Sequence, residues 1–247
     1  MECTTLLSEI DAILNTASFK DYCPNGLQIQ GRPSITKIAA AVTASRTVIE
    51  QAAAWGADAL LVHHGYFWKG EEAPIVGMKH GRIAALIKHD INLIAYHLPL
   101  DAHPTLGNNA QLALKLGFHV VGQVTTEPLV WHGTSDCLTL GELAVRIEQR
   151  LGRAPQVIGD ARAAVGKVAW CTGAAQGYIT TAAACGAQTF ISGEVSERTF
   201  HEAQELGVNY LACGHHATER YGVQALGEHL AERFALGYRF FDDHNPV

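Results

Sequence analysis

Three stretches of the chain gather the residue types that do chemistry: LLVHHGYFWKG (60–70), HLPLDAH (97–103) and GHHATER (214–220). In the first, the apolar run Leu60-Leu61-Val62 stops at two adjacent histidines, His63 and His64, followed by Gly65. Burying an imidazole without a partner is costly, so a buried strand that ends in two of them needs something there to hold both. Neighbouring strand residues point to opposite faces. Where the strand ends and Gly65 permits a sharp turn, two imidazoles can reach two different metal ions.

In the second stretch, Asp101 stands four residues beyond His97, between Pro99 and Pro104, whose fixed φ stiffens the turn. A rigid carboxylate at a strand end suits a metal ligand or a general base. His97 and His103 are weaker candidates, suited to orienting a ligand. In the third, a helix beginning near residue 215 puts His215 and Glu219 on one face, one turn apart. That pair makes a metal half-site, and a carboxylate can bridge two ions with its two oxygens.

Singly, each feature has a structural alternative: a satisfied core histidine, a turn aspartate, an acid at the positive end of a helix. Jointly, about five ligands of mixed nitrogen and oxygen type suit two divalent ions with bound water. Imidazoles and carboxylates accept Zn, Mn, Fe, Co or Ni, and ligand type does not choose among them. Other motifs are thin: the sequence has no GxxxxGK[ST] phosphate loop and no GxSxG elbow. Cys213 sits in an apolar strand and reads as a core thiol. Tyr66-Phe67-Trp68 reads as a stacking surface for a flat ligand, a pocket wall or an interface plug.

These residues need elements to position them. Hydrophobic patterning predicts helices over 4–15, 47–57, 79–90, 108–117, 138–152, 178–187, 196–207 and 218–234. Strands are expected over 37–45, 59–64, 91–101, 167–175, 189–194, 208–216 and 237–242, and a loop over 18–31. Alternating strands and helices imply an α/β protein with mostly parallel pairing. The order repeats. Shifting Lys37–Gly65 by 130 lands on Lys167–Val195 with nine of 29 positions identical, and INLIAYH (91–97) overlays VNYLACG (208–214) at an offset of 117. We therefore expect two repeats, 1–128 and 129–247, intertwined into one unit. The repeat sets His63-His64 opposite Gly193-Glu194, and HLPLDA opposite GHHATE. All four lie at C-terminal strand ends, where open α/β sheets bind ligands. Glu194 thus becomes a candidate, with His97, for moving protons.

At 247 residues with net charge −6, the chain exerts no global pull on nucleic acid or anionic membrane, and no stretch reaches the ~18 apolar residues of a membrane span. A ring handling nucleic acid would need a basic lining, and no long Lys/Arg run supplies one. Six cysteines without CxxC spacing and an N-terminus without a basic leader point to free thiols in the cytoplasm.

In order, DYCPNGLQIQG, VTAS, VHHGYFWKG, HLPLDAH, GNNAQLA, SGEVSE and GHHATER resemble the Nif-three-like family, the GTP cyclohydrolase I type 2 homologues, over essentially the whole chain. The resemblance implies a duplicated α/β fold with intertwined halves and a toroidal homohexamer, a trimer of dimers. It implies a dinuclear divalent-metal site on His63, His64, Asp101, His215 and Glu219, with Glu219 bridging. It also implies hydrolysis, with metal-activated water attacking a nucleotide or heterocycle. The long domain inserted mid-chain in some relatives is absent. A non-catalytic metal-binding or interaction ring is the competing expectation.

Overall fold

The computed structural model describes residues 1–247. They fall into two compact units, residues 1–107 with 222–244 and residues 108–221 with 245–247. The boundary expected after residue 128 falls within a strand of the second unit.

The first unit is built on a five-stranded sheet in the order β1 (Gly26–Ile29), β4 (Asn92–Ala95), β3 (Ala59–His64), β2 (Lys37–Thr43), β11 (Gly237–Phe240). Strands β4, β3, β2 and β11 run parallel, and β1 lies antiparallel on the edge of β4. The central strands are continuous apolar runs because both faces are covered. On one face lie α2 (Arg46–Trp55) and α3 (Gly77–Lys88), with Val48, Ile49, Ile83 and Leu86 buried against Leu60 and Val62. On the other lies α1 (Cys3–Leu14), whose Cys3, Leu6, Ile10 and Leu14 recur at helical spacing and all pack inward. Gly56 ends α2 at a φ of 76°, the left-handed cap that its sequence position suggests.

The second unit carries a six-stranded sheet in the order β5 (His119–Val124), β6 (Glu127–Thr134), β8 (Lys167–Cys171), β9 (Thr189–Ser192), β10 (Asn209–Ala212), β7 (Gln156–Ile158). Its parallel core, β8-β9-β10, corresponds to β2-β3-β4. The strand starts keep the sequence offsets: 37 and 167, 59 and 189 differ by 130, and 92 and 209 by 117. Helices α5 (Asn108–Leu116) and α6 (Leu140–Leu151) bury Leu112, Leu116, Leu143 and Ile147 on one face. A capping box between Thr139 and Glu142 starts α6. Helices α7 (Ile179–Ala184) and α8 (Glu197–Leu206) cover the other face through Ile179, Ala182 and Ala203.

Several expectations need correction. The 18–31 loop contains strand β1, and β5, β6 and β7 were not foreseen. The strand expected over 91–101 ends at Ala95, and a short helix, α4 (Leu98–Ala102), follows. The strand expected over 208–216 stops at Ala212, so α9 (His215–Phe234) begins at the histidine pair itself. No helix is long and apolar enough to cross a membrane.

Candidate metal centre

The candidate ligands form one set in each unit. In the first unit, β3 delivers His63 and His64 at its C-terminal end, with His63 fully buried. The Nδ1 of His63 donates to the carbonyl of Tyr96 at 2.9 Å, because a carbonyl only accepts. That fixes the tautomer and makes Nε2 the lone-pair nitrogen. Nδ1 of His64 lies 3.2 Å from Thr43 Oγ1, beside it on β2. Asp101 sits in the first turn of α4 with Pro99 at the helix start, so the stiffened turn read from the prolines is a turn of helix. Its Oδ1 lies 3.5 Å from His63 Nε2. That is too long for a good hydrogen bond, but it suits two donors on one ion, since ligands at ~2.1 Å from a metal stand roughly 3.4 Å apart.

In the second unit, α9 presents His215 and Glu219 one turn apart, as expected, with His215 Nε2 at 3.0 Å from Glu219 Oε2. Glu219 is almost wholly buried. Nδ1 of His215 meets Glu194 Oε1 at 2.7 Å, and the Glu194 main-chain carbonyl accepts a short hydrogen bond from the Tyr210 hydroxyl. Burial by itself would lower the His215 pKa, but the Glu219 and Glu194 carboxylates outweigh it and raise it to about 9. Two carboxylates converging on one imidazole make a pocket of negative charge suited to a cation. Two glycines make the room. A Cβ on Gly173, which has a φ of 69°, would come within 2.0 Å of Glu219 Oε1 and 3.2 Å of His215 Nε2; one on Gly193 would come within 2.7 Å of the His215 Cα. The backbone is thus recessed around the acid and the imidazole. In donor type both sets fit divalent metal, and the second adds a recessed backbone around its donors.

Sequence reasoning missed Asp21. Its Oδ1 accepts from His97 Nδ1 at 2.7 Å, and its Oδ2 accepts from Asn25 Nδ2 and from the Leu98 N–H, each at 2.9 Å. Burial would raise the Asp21 pKa, yet these hydrogen bonds and the charge of His97 hold it at about 2. Its partner lies 76 residues away, so no local spacing signalled it. Cys23, near the same pair, is pushed up to about 12, by burial first and by the Asp21 charge second, so it is a poor thiolate donor. Burial likewise pushes Cys213 up to about 12, in keeping with an inert core thiol. Of the aromatic run, Tyr66 is buried with its hydroxyl donating to the Ala44 carbonyl. Trp68 walls the site, 5.9 Å from the His64 ring and 5.0 Å from that of His97. His103 accepts the backbone N–H groups of Thr105 and Leu106 and serves as a turn residue.

The fold and donor sets define a duplicated α/β protein suited to binding divalent metal at its strand and helix ends. The Duf34/NIF3 family (NGG1p interacting factor 3) matches residues 1–246, and the chain belongs to that family. It is 49% identical over 248 residues to the GTP cyclohydrolase 1 type 2 homolog of Pseudomonas aeruginosa, spanning 99% of this chain and 98% of that one. The homolog of the same name in Escherichia coli K12 is 51% identical over 249 residues, with full coverage of both chains. Among solved structures, protein ybgI, described as of unknown function, superposes with a TM-score of 0.95 at 50% identity and covers both chains fully.

Proposed function

We propose that the chain holds two divalent metal ions through His63, His64, Asp101, His215 and Glu219, with Glu219 as the bridging carboxylate. We propose further that it hydrolyses a small nucleotide or heterocyclic substrate with them. The observation that carries this reading is the spacing within each set: His63 and Asp101 at 3.5 Å, and His215 beside the buried Glu219 at 3.0 Å. Each set alone is short of a full coordination shell, and donors of this kind serve hydrolytic dinuclear sites. Bound ions would supply Lewis-acid activation of water and polarisation of the substrate's electrophilic carbon. The protein's own groups hold and position. Glu194 holds His215 through Nδ1, and its half-buried carboxylate, with His97, would move protons during hydrolysis. Trp68 offers an aromatic wall for a flat substrate.

The relatives named for GTP cyclohydrolase favour a purine nucleotide among the substrates to try first. Six free cysteines fit a reducing cytoplasm. The exposed Leu114, Val121 and Leu138 supply apolar surface for assembly into the toroidal homohexamer, a trimer of dimers. The test is turnover by metal-loaded protein on a panel of nucleotides and heterocycles. Activity abolished by Asp101→Ala supports the reading. A folded, metal-loaded protein that turns over nothing favours the other member of the pair, a metal-binding ring without catalysis.

A further inference from the structure

We propose that Arg153 binds a phosphate of the substrate, a contact separate from the metal donors. This rests on the hydrolase reading above and deepens it: Arg153 is the residue that makes the site prefer a nucleotide over the bare nucleoside.

The fold carries Arg153 to the start of α9. Helix α6 ends at Leu151, and Gly152 caps it in the left-handed region at a φ of 72°. Arg153 follows at once. Strand β7 then begins and pairs antiparallel with β10, Gln156 opposite Ala212. The turn between α6 and β7 therefore lies beside the C-terminal end of β10, where Cys213 and Gly214 lead into α9. The Arg153 side chain is laid against Gly214. A Cβ at that glycine would come within 3.0 Å of the Arg153 Cδ, Nε and Nη1, and the Gly214 φ of 95° is one that other residues rarely adopt. Glycine at 214 thus gives the guanidinium its seat, one residue before His215.

The guanidinium has no partner in that seat. Arg153 is half-buried, yet it forms no ion pair and no hydrogen bond. Arg162 and Arg198 of the same unit are exposed, and each still finds a carboxylate, Asp160 at 3.1 Å and Glu202 at 3.2 Å. A partly desolvated cation needs an anion more than an exposed one does, because burying an unpaired charge is costly. The acids of the neighbouring donor set do not supply it: Glu194 and Glu219 are turned to His215, at 2.7 Å and 3.0 Å. An anion from outside the chain is the partner that remains.

Phosphate suits the seat. The planar guanidinium presents its donors as a fork that matches phosphate oxygens two at a time. Arg150 and Arg146, about one and two turns earlier on α6, also form no ion pair and add positive potential along the stretch that leads to Arg153. A phosphate held at Gly214 leaves the rest of the molecule to reach the donors that begin at the next residue.

Isothermal titration calorimetry on full-length, metal-loaded protein tests this, with GMP, guanosine and inorganic phosphate as probes. The proteins are the wild type, Arg153→Gln and Arg153→Lys, each with its metal content and melting measured. The wild type should bind GMP about tenfold or more tightly than guanosine. Arg153→Gln should weaken GMP by roughly 10–100-fold, weaken inorganic phosphate in the same direction, and leave guanosine and metal content unchanged. Arg153→Lys should fall between the two, since it keeps the charge and loses the fork; it carries the test if Arg153→Gln does not fold. Wild type that binds guanosine as tightly as GMP, or binds neither, overturns the proposal. So does folded Arg153→Gln with native metal content and an undiminished preference for GMP, which would assign the phosphate to the ions. Loss of metal in Arg153→Gln, with GMP and guanosine falling together, overturns it as well, because that is the mark of a structural role. Binding and metal content are read without turnover, so the hydrolase reading stands or falls separately, on the activity of Asp101→Ala.

Discussion

The ends of β3 and β9 occupy the same place in the repeat, yet they do opposite things. In the first unit the strand end itself bears the donors, His63 and His64. In the second, the equivalent positions are Gly193 and Glu194, and the candidate donors His215 and Glu219 arrive on the N-terminal part of α9. Glycine at 193 is what allows it: an added Cβ would sit 2.7 Å from both the Gly173 carbonyl oxygen and the His215 Cα. One sheet places its imidazoles on a strand; the other clears its strand end so that a helix can approach. Equivalent topology thus yields two donor sets that are built differently. A second contrast lies at the opposite ends of the same strands. Asp58 Oδ2 accepts the Lys37 N–H at 2.9 Å, and its repeat counterpart Gln188 uses Oε1 to accept the Lys167 N–H at 3.3 Å. The role is the same, but only one of the two titrates.

The largest expected effect breaks the first contrast. Gly193→Ala forces a side chain into rigid backbone and should cost about 3 kcal/mol, read as a shift in urea midpoint together with loss of metal from the second unit's donors. An unshifted midpoint would mean that the strand end is not cleared for α9. Next, Glu194→Gln removes the charge that holds His215 and should weaken metal binding by about 10–100-fold, measured by competition with a chelating dye. Third, Asp58→Asn tests the lower ends. Burial would raise the Asp58 pKa, but hydrogen bonds from Thr36 and Lys37 and the charge of Arg32 outweigh it, and the value falls below 3.8. A depressed carboxylate contributes stability that is fully present above the unfolded value and is lost as pH falls through the folded one. Below pH ~3.8 the first unit should therefore loosen before the second, as seen by hydrogen exchange. Asp58→Asn should cost about 1–2 kcal/mol at neutral pH and flatten that acid dependence; equal acid sensitivity in the two units would count against the contrast. The smallest effect is Thr43→Val, which removes a neutral partner from His64 and should weaken metal binding by about tenfold or less.

The α/β alternation and the strand ends were legible because continuous apolar runs stop abruptly at polar residues. The offsets of 130 and 117 carried over to the strand starts for the same reason. His215 and Glu219 were legible because helical spacing is a local property. Helix α4 was hidden because five residues containing a proline give no periodicity. β1 was hidden inside turn chemistry around Pro24-Asn25-Gly26, and β5 because it is mostly solvent-exposed and lacks an apolar face. Asp21 was illegible in principle: its importance comes from a contact made by tertiary folding, and Lys20-Asp21-Tyr22 carries no pattern that announces it.

The central claim is that the donors of the two units bind metal. Elemental analysis of purified protein beside His63→Ala and Glu219→Ala tests it most directly. The native protein should carry near two ions per chain, with a clear loss in each variant; native protein purified without chelators that contains no metal would contradict that claim.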